Sequence, residues 1–335
     1  YRQDMENTAD ISEEVVRLYG FDNIEPTLFA GRMTAGGLTA RQKFDVLLRQ
    51  TLASIGCCEA YTYSFVSPAS YAKAGLSFDP DSELVILNPL GEDTSTMRRS
   101  AVVSLLEVLA RNYSRRVDEA RVFELATVYK KCADGMSDET KQLVVASYGG
   151  WDFYDMKGVC EQLCEALNVT VTLGRETKTP YLHPGRSASF ESNGENIAVF
   201  GQIHPQCADK CGVPHDACIA VFDAEKLYAA AAGERRYKPL PVYPSITRDL
   251  ALVCDENAAA GDIIAKMIAS GGKLVESAQA FDVYTGKGVD DGKKSIAFRL
   301  VLRSAEKTLS DADADAVVKR ILKRLSFEDS ITLRQ

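Results

Sequence analysis

Histidine is scarce in this 335-residue chain, with three in all, and no GxSxG is present. A Ser/His/Asp hydrolase has little to build on. No apolar run approaches the roughly 18 residues that a membrane span needs, and no signal peptide is visible in the opening YRQDMEN. The opening also lacks an initiator Met, which suggests a processed chain or a piece of a longer one. A phosphate-binding glycine loop is missing too. TGKGVDDGKK holds glycines, but without the strand–loop–helix context or P-loop spacing it reads as a hairpin turn. Nine cysteines, an odd number, are scattered with no disulfide framework. That usage points to a reducing cytoplasm.

What is present is ordinary for a soluble globular protein, 46% hydrophobic and 26% charged, in a chain long enough for two or three domains. The net charge of −8 is unevenly placed. From Val242 onward 14 basic side chains balance 14 acidic ones, which leaves 25 against 33 in the rest. An acidic body repels nucleic acid, so any RNA contact must be a local basic surface in the neutral C-terminal third.

Asp4, Asp10, Glu13 and Glu14 gather four carboxylates around a helix start, with Ile11, Val15 and Leu18 at helical spacing and Gly20 placed as a C-cap. Like charges three and four apart repel unless something cationic sits among them. Oxygen donors without His or Cys suit a hard ion such as Mg²⁺, and the alternative is a solvated acidic first turn favoured by the helix dipole. His204, Cys207, Cys211 and His215 have zinc-like spacings, yet Pro205 and Pro214 border them and small buried cysteines account for the pattern. Cys160 and Cys164 read as core of an apolar helix. Tyr61, Tyr63 and Phe65 alternate as a strand does and are expected to pack.

The segment DNIEPTLFAGRMTAGGLTA reads as a linker, and GERRYKPLPVYPS as a second one. Between them helices are expected at 41–55, 101–112 and 156–167, with strands at EAYTYSFVS, SELVILN, ARVFELATVYK, KQLVVASYGG, VTVTLG, SASFESN and NIAVFGQIH. Few helices among many short strands argue for a mostly antiparallel α+β domain. After the second linker the order is βαββαβ, the ferredoxin-like arrangement. In its third strand Ile296, Phe298, Leu300 and Leu302 share one face and Arg299 and Arg303 the other. Arg248 opens the first strand, so these three arginines form the candidate RNA contact. Exposed aromatics on the strands look few, which predicts weak sequence preference.

These segments, with DISEEVVRLYGFDNIEP, NPLGEDTSTMRRS, RVFELATVY, DFYDMKG, LHPGRSA, YPSITRDLALV, FDVYTGKG and KTLSD in one order, resemble the bacterial phenylalanyl-tRNA synthetase β-subunit family, from late in its B5 domain to the C-terminus. The resemblance implies an α+β multidomain fragment: residues 1–38 as the tail of B5 and a linker, 39–236 as a class II synthetase-like antiparallel sheet without catalytic residues, and 237–335 as a ferredoxin-fold anticodon-binding domain. It implies Mg²⁺ at Asp4, Asp10, Glu13 and Glu14, shared with an α subunit, in a cytoplasmic α2β2 heterotetramer that charges tRNA(Phe). ATP is expected on the α subunit and not on this chain, which alone is expected to be inactive and, without the family's N-terminal tRNA-binding and editing domains, unable to proofread. Ala101, Val102, Val103 and Ser104 replace the family's Leu-Leu-Pro-Gly. Arg121 superficially resembles the strand arginine of class II catalysis, but GERR runs into KPLP and cannot open a helix. The alternatives are a stand-alone RNA-binding module using the C-terminal sheet and a metal-dependent hydrolase on the acidic cluster, the latter lacking a base.

Overall fold

The computed structural model describes residues 2–334 other than 134, 232–236, 238, 287 and 330. The chain divides into two compact units, residues 1–46 and 47–335. In the first, helix α1 (Thr8–Tyr19) is held by a capping box. The Asn7 side chain accepts the Ala9 amide at 2.8 Å, and the Asp10 carboxylate accepts the amides of Glu6 and Asn7 at 2.8 and 2.9 Å. Gly20 ends the helix at φ +96°, a conformation that L side chains rarely adopt. The stripe of Ile11, Val15 and Leu18 is regular but uncovered, since no residue of α1 is buried. Residues 25–39 hold no helix or strand, and α2 (Ala40–Ser54) follows.

The second unit contains a seven-stranded sheet in the order β1-β4-β5-β9-β8-β7-β6. Its strands are β1 (Cys58–Glu59), β4 (Ala120–Lys131), β5 (Ser137–Tyr148), β6 (Thr172–Arg175), β7 (Leu182–Ser192), β8 (Glu195–Ile203) and β9 (Cys218–Asp223). Only β1–β4 is parallel. A small ribbon pairs β2 (Phe65–Val66) with β3 (Thr96–Met97) beside α3 (Pro68–Lys73). Helix α4 (Val102–Ser114) packs Leu105, Leu106 and Leu109 against Val144, Ala146 and Ile219 on one face. On the other face Phe200 stacks on Phe153 of α5 (Phe153–Ala166), ring centroids 6.1 Å apart. The middle strands are therefore buried on both faces, as in layered α/β sheets. Short helices α6 (Pro205–Cys211) and α7 (Ala224–Ala230) flank β9.

The expected strand EAYTYSFVS is not continuous. The pairing of β1 with β4 lasts two residues, and the chain then leaves the sheet before β2. Tyr61 and Tyr63 are consequently 82% and 81% exposed rather than packed, a correction to the alternation reading. SELVILN likewise keeps only an isolated bridge, Val85 to Thr96. The substituted start of α4 is regular: Gln142 of β5 accepts the Ala101 amide at 2.9 Å, and Ser100 Oγ accepts that of Val102 at 3.3 Å.

The C-terminal sheet runs β11-β12-β10-β13, from β10 (Ile246–Asp255), β11 (Val275–Tyr284), β12 (Lys293–Leu302) and β13 (Thr332–Leu333). Helices α8 (Ala260–Gly271) and α9 (Asp311–Asp329) supply the βαββαβ order. Ile296, Phe298, Leu300 and Leu302 are buried with Met267 of α8 and Ile321 and Leu325 of α9. Ser310 and Asp313 exchange hydrogen bonds at the start of α9, as the capping-box spacing predicts.

Candidate functional site

The acidic set at the N-terminus is organised by arginines. Arg2 donates to Asp4 through Nε at 2.9 Å and Nη2 at 2.7 Å, and to Glu14 Oε1 through Nη1 at 2.9 Å. Arg17 takes the other oxygen of Glu14 at 2.6 Å. The Arg2 hydrogen bonds hold the Asp4 carboxyl down to about 2, and Arg17, then Arg2, lower that of Glu14. Asp10 faces its own helix start, and Glu13 is exposed. The cation that relieves the carboxylate repulsion is thus a guanidinium of this chain. Among the described residues no three His, Cys, Asp or Glu side chains form a metal-holding group. The donors fit magnesium in kind, being hard oxygens, and Arg2 shows that Asp4 and Glu14 can reach one positive centre. As arranged they enclose arginine, and closing on a metal requires Arg2 to leave.

The three candidate RNA-contact arginines do not form one open patch. Arg299 makes a two-pronged pair with Asp249, its cross-strand neighbour, at 2.9 and 2.7 Å. Arg303 binds Glu276 at 2.8 Å and the Tyr243 carbonyl, while Arg248 reaches Asp311 at 2.6 Å and Asp315 at 3.4 Å. What sequence reasoning missed is aromatic. The Arg299 guanidinium lies 5.0 Å over the ring of Phe281, and Arg334 lies 4.5 Å over Tyr284. Phe281 is 53% exposed and Tyr284 37%, so the expectation of few exposed aromatics is corrected. A bulge between Ala280 and Asp282 brings Phe281 to the Arg299 side, a shift that period-2 counting does not foresee. The face offers stacking surfaces with adjoining donors, the elements of single-stranded RNA recognition.

The remaining candidates have structural partners. His204 caps α6 through the Gln206 amide, His215 meets Asp209 at 2.7 Å, and buried Cys207 points to the Pro180 carbonyl. Cys160 and Cys164 are buried, their thiols pushed up chiefly by desolvation. Arg121 pairs with Glu119 at 2.8 Å and lies 4.9 Å over Trp151. The GERR segment, at 233–236, lies outside the described residues. No helix among the described residues is long and apolar enough to cross a membrane.

A family model described as the phenylalanyl tRNA synthetase beta chain CLM domain matches residues 24–224, and one described as the ferredoxin-fold anticodon binding domain matches 241–334. The phenylalanine–tRNA ligase beta subunit of Clostridium tetani is 36% identical over 339 residues, covering 100% of this chain and 43% of that protein. That of Clostridium acetobutylicum is 34% identical over 341 residues, with coverages of 100% and 43%, and that of Syntrophotalea carbinolica 36% over 348, with 98% and 43%. The chain spans less than half the length of these relatives. A pyrrolysyl-tRNA synthetase structure from Desulfitobacterium hafniense overlaps 65% of this chain and 74% of its own at 14% identity and a TM-score of 0.48, too distant to bear on function. With both models in the order of the two sheets, and the first covering more than half of its residues, the chain belongs to the phenylalanyl-tRNA synthetase β-chain family.

Proposed function

We propose that this chain is the C-terminal part of a phenylalanine–tRNA ligase β subunit, and that it supports ATP-dependent attachment of phenylalanine to tRNA(Phe) without catalysing it. The observation that carries the reading is the match of both family models along one chain whose relatives are β subunits over its whole length. In this reading residues 1–38 belong to the tail of B5 and a linker, 39–236 dock a catalytic α subunit in an α2β2 assembly, and 237–335 contact the tRNA. The assembly works in the cytoplasm. The α subunit binds ATP, while the middle sheet, with Arg121 occupied by Glu119 and Trp151, acts as a packing partner.

On the C-terminal domain, Phe281 and Tyr284 supply ring faces and Arg299 and Arg334 the adjoining positive charge. Magnesium is held by Asp4, Asp10, Glu13 and Glu14 with donors from the α subunit, after Arg2 releases Asp4 and Glu14. When bound it supplies counter-charge that joins the subunits.

Size-exclusion chromatography of the chain with a phenylalanyl α subunit, with Mg²⁺ and with EDTA, tests this. A stable heteromer weakened by EDTA and by Asp10→Asn with Glu13→Gln is expected. Indifference to the α subunit would overturn the docking reading, and a heteromer unaffected by either change would overturn the magnesium reading. Pyrophosphate exchange with phenylalanine and ATP is expected to be absent from the purified chain alone.

A further inference from the structure

DFYDMKG and LHPGRSA carry the family resemblance but no role in the function above. In the fold they meet at one cleft of about 540 Å³ at the end of the seven-stranded sheet. Trp151, Asp152 and Tyr154 line it from the start of α5, Arg186 from β7, and Asp216 and Cys218 from the entry to β9. The size is that of a small-ligand site.

Among its lining residues two carboxylates, Asp152 and Asp216, stand against one cation, Arg186. The Cys218 thiol at the cleft wall is pushed up to about 12, first by burial and then by Asp152, Asp216 and Asp155, with Arg186 alone opposing. That arginine is engaged by Gln202 Oε1 at 2.8 Å. Each of the three carboxylates keeps one oxygen without a protein donor among the described residues. Asp152 Oδ1 accepts the amides of Tyr154 and Asp155, Asp155 Oδ2 accepts that of Asp152, and Asp216 Oδ2 accepts that of Gly149. The helix N-terminus is thereby satisfied by its own acids and does not call for an anion. Trp151 already holds Arg121 4.9 Å from its ring, so the ring takes a guanidinium in this environment. Tyr154 is exposed beside it, edge-on to Phe153 at 5.3 Å. Unused acceptor oxygens beside electron-rich rings select a positive group that can donate hydrogen bonds.

We propose that this cleft binds an organic cation, a guanidinium or primary ammonium group, with Asp152 and Asp216 as acceptors and Trp151 and Tyr154 as walls. The group reaches it as a free small molecule or as the tip of a basic side chain on another chain.

Trp151 is the one tryptophan of the sequence, so its emission reports on the cleft directly. The full chain is titrated at constant ionic strength with Nα-acetyl-L-argininamide, with its neutral isostere Nα-acetyl-L-citrullinamide, and with the peptide acetyl-Gly-Arg-Gly-amide. A saturable change with argininamide and none with citrullinamide is expected. Asp216→Asn is expected to weaken binding about ten-fold, the scale of one charge-assisted hydrogen bond. Asp152→Asn, which keeps the helix cap, is a second variant if the first disturbs folding by circular dichroism. Equal response to the peptide assigns a side-chain source, and response to argininamide alone a small molecule. No saturable change, an equal response to citrullinamide, or affinity unchanged in both variants would overturn the proposal.

Discussion

Arg98, just after β3, and Glu124 of β4 form a buried ion pair, with side chains 3% and 6% exposed. Arg98 donates to Glu124 Oε1 at 2.8 Å, to Thr62 Oγ1 at 2.6 Å and to the Thr127 carbonyl at 3.0 Å. Thr62 in turn donates its hydroxyl to Glu124 Oε2 at 2.6 Å. Every member is satisfied, and so removing one strands the rest. Glu124→Ala leaves a guanidinium buried without its counter-ion, which costs about 3–5 kcal/mol. Glu124→Gln keeps an acceptor and the shape, and it is expected to cost roughly half as much. Replacing both partners by apolar residues, Arg98→Met with Glu124→Leu, is expected to recover most of the loss, because no charge is left to desolvate. Urea unfolding followed by Trp151 emission reads this sheet, since Trp151 lies just beyond β5, the strand paired with the one that carries Glu124. With a urea dependence of about 2 kcal/mol per molar, Glu124→Ala lowers the midpoint by roughly 1.5–2.5 M. A shift below about 0.5 M on that scale, or a double variant no better than the single one, would refute the reasoning.

Glu83 is fully buried, 3.2 Å from Arg99 Nε, and desolvation raises its carboxyl despite that arginine. A raised folded value means that stability is greatest below the ordinary carboxylate range and declines as pH rises through it towards the folded value. Glu83→Gln should therefore raise the urea midpoint at pH 7 and leave it unchanged in acid; no gain at pH 7 would count against this. Asp249 is lowered chiefly by its Arg299 hydrogen bond and Asp313 chiefly by the Ser310 amide. Their contributions are present above the ordinary carboxylate value and lost as pH falls through the lowered ones, so hydrogen exchange in β10 and β12 should separate wild type from Asp249→Asn at pH 6, with the difference shrinking as pH falls below the ordinary carboxylate value. Gly149 has φ +73°, and an added Cβ would clash with the Asp118 carbonyl and the Glu119 backbone. Gly149→Ala should cost more than about 2 kcal/mol in the same urea assay, and a smaller loss would show that the turn can yield.

Much of the architecture was legible because periodicity records burial. Helices α4, α5, α8 and α9 carry apolar stripes at helical spacing, and β12 alternates because one face meets α8 and α9 while the other stays open. Strand β9 escaped that logic. Cys218 to Phe222 are all buried, so the run shows no alternation to count. Short α6 and α7 hold too few turns for a stripe to appear.

The candidate site divides along the same line. Composition and spacing determined that four carboxylates crowd the first helix, that Arg299 shares an open strand face, and that the last domain follows a βαββαβ order. Only the tertiary structure decided what each charge meets. Asp249 neutralises Arg299 across the β10–β12 register, Asp311 reaches Arg248 from a helix 63 positions away, and Arg2 folds back over twelve residues to Glu14. The bulge that sets Phe281 under Arg299 and the cleft where Trp151 meets Arg186 and Asp216 arose in the same way. Local patterns encode which residues prefer water, because that preference acts one residue at a time. Electrostatic and stacking partners are set by distances of a few ångströms between segments far apart in sequence, and those distances exist only once the sheets have closed.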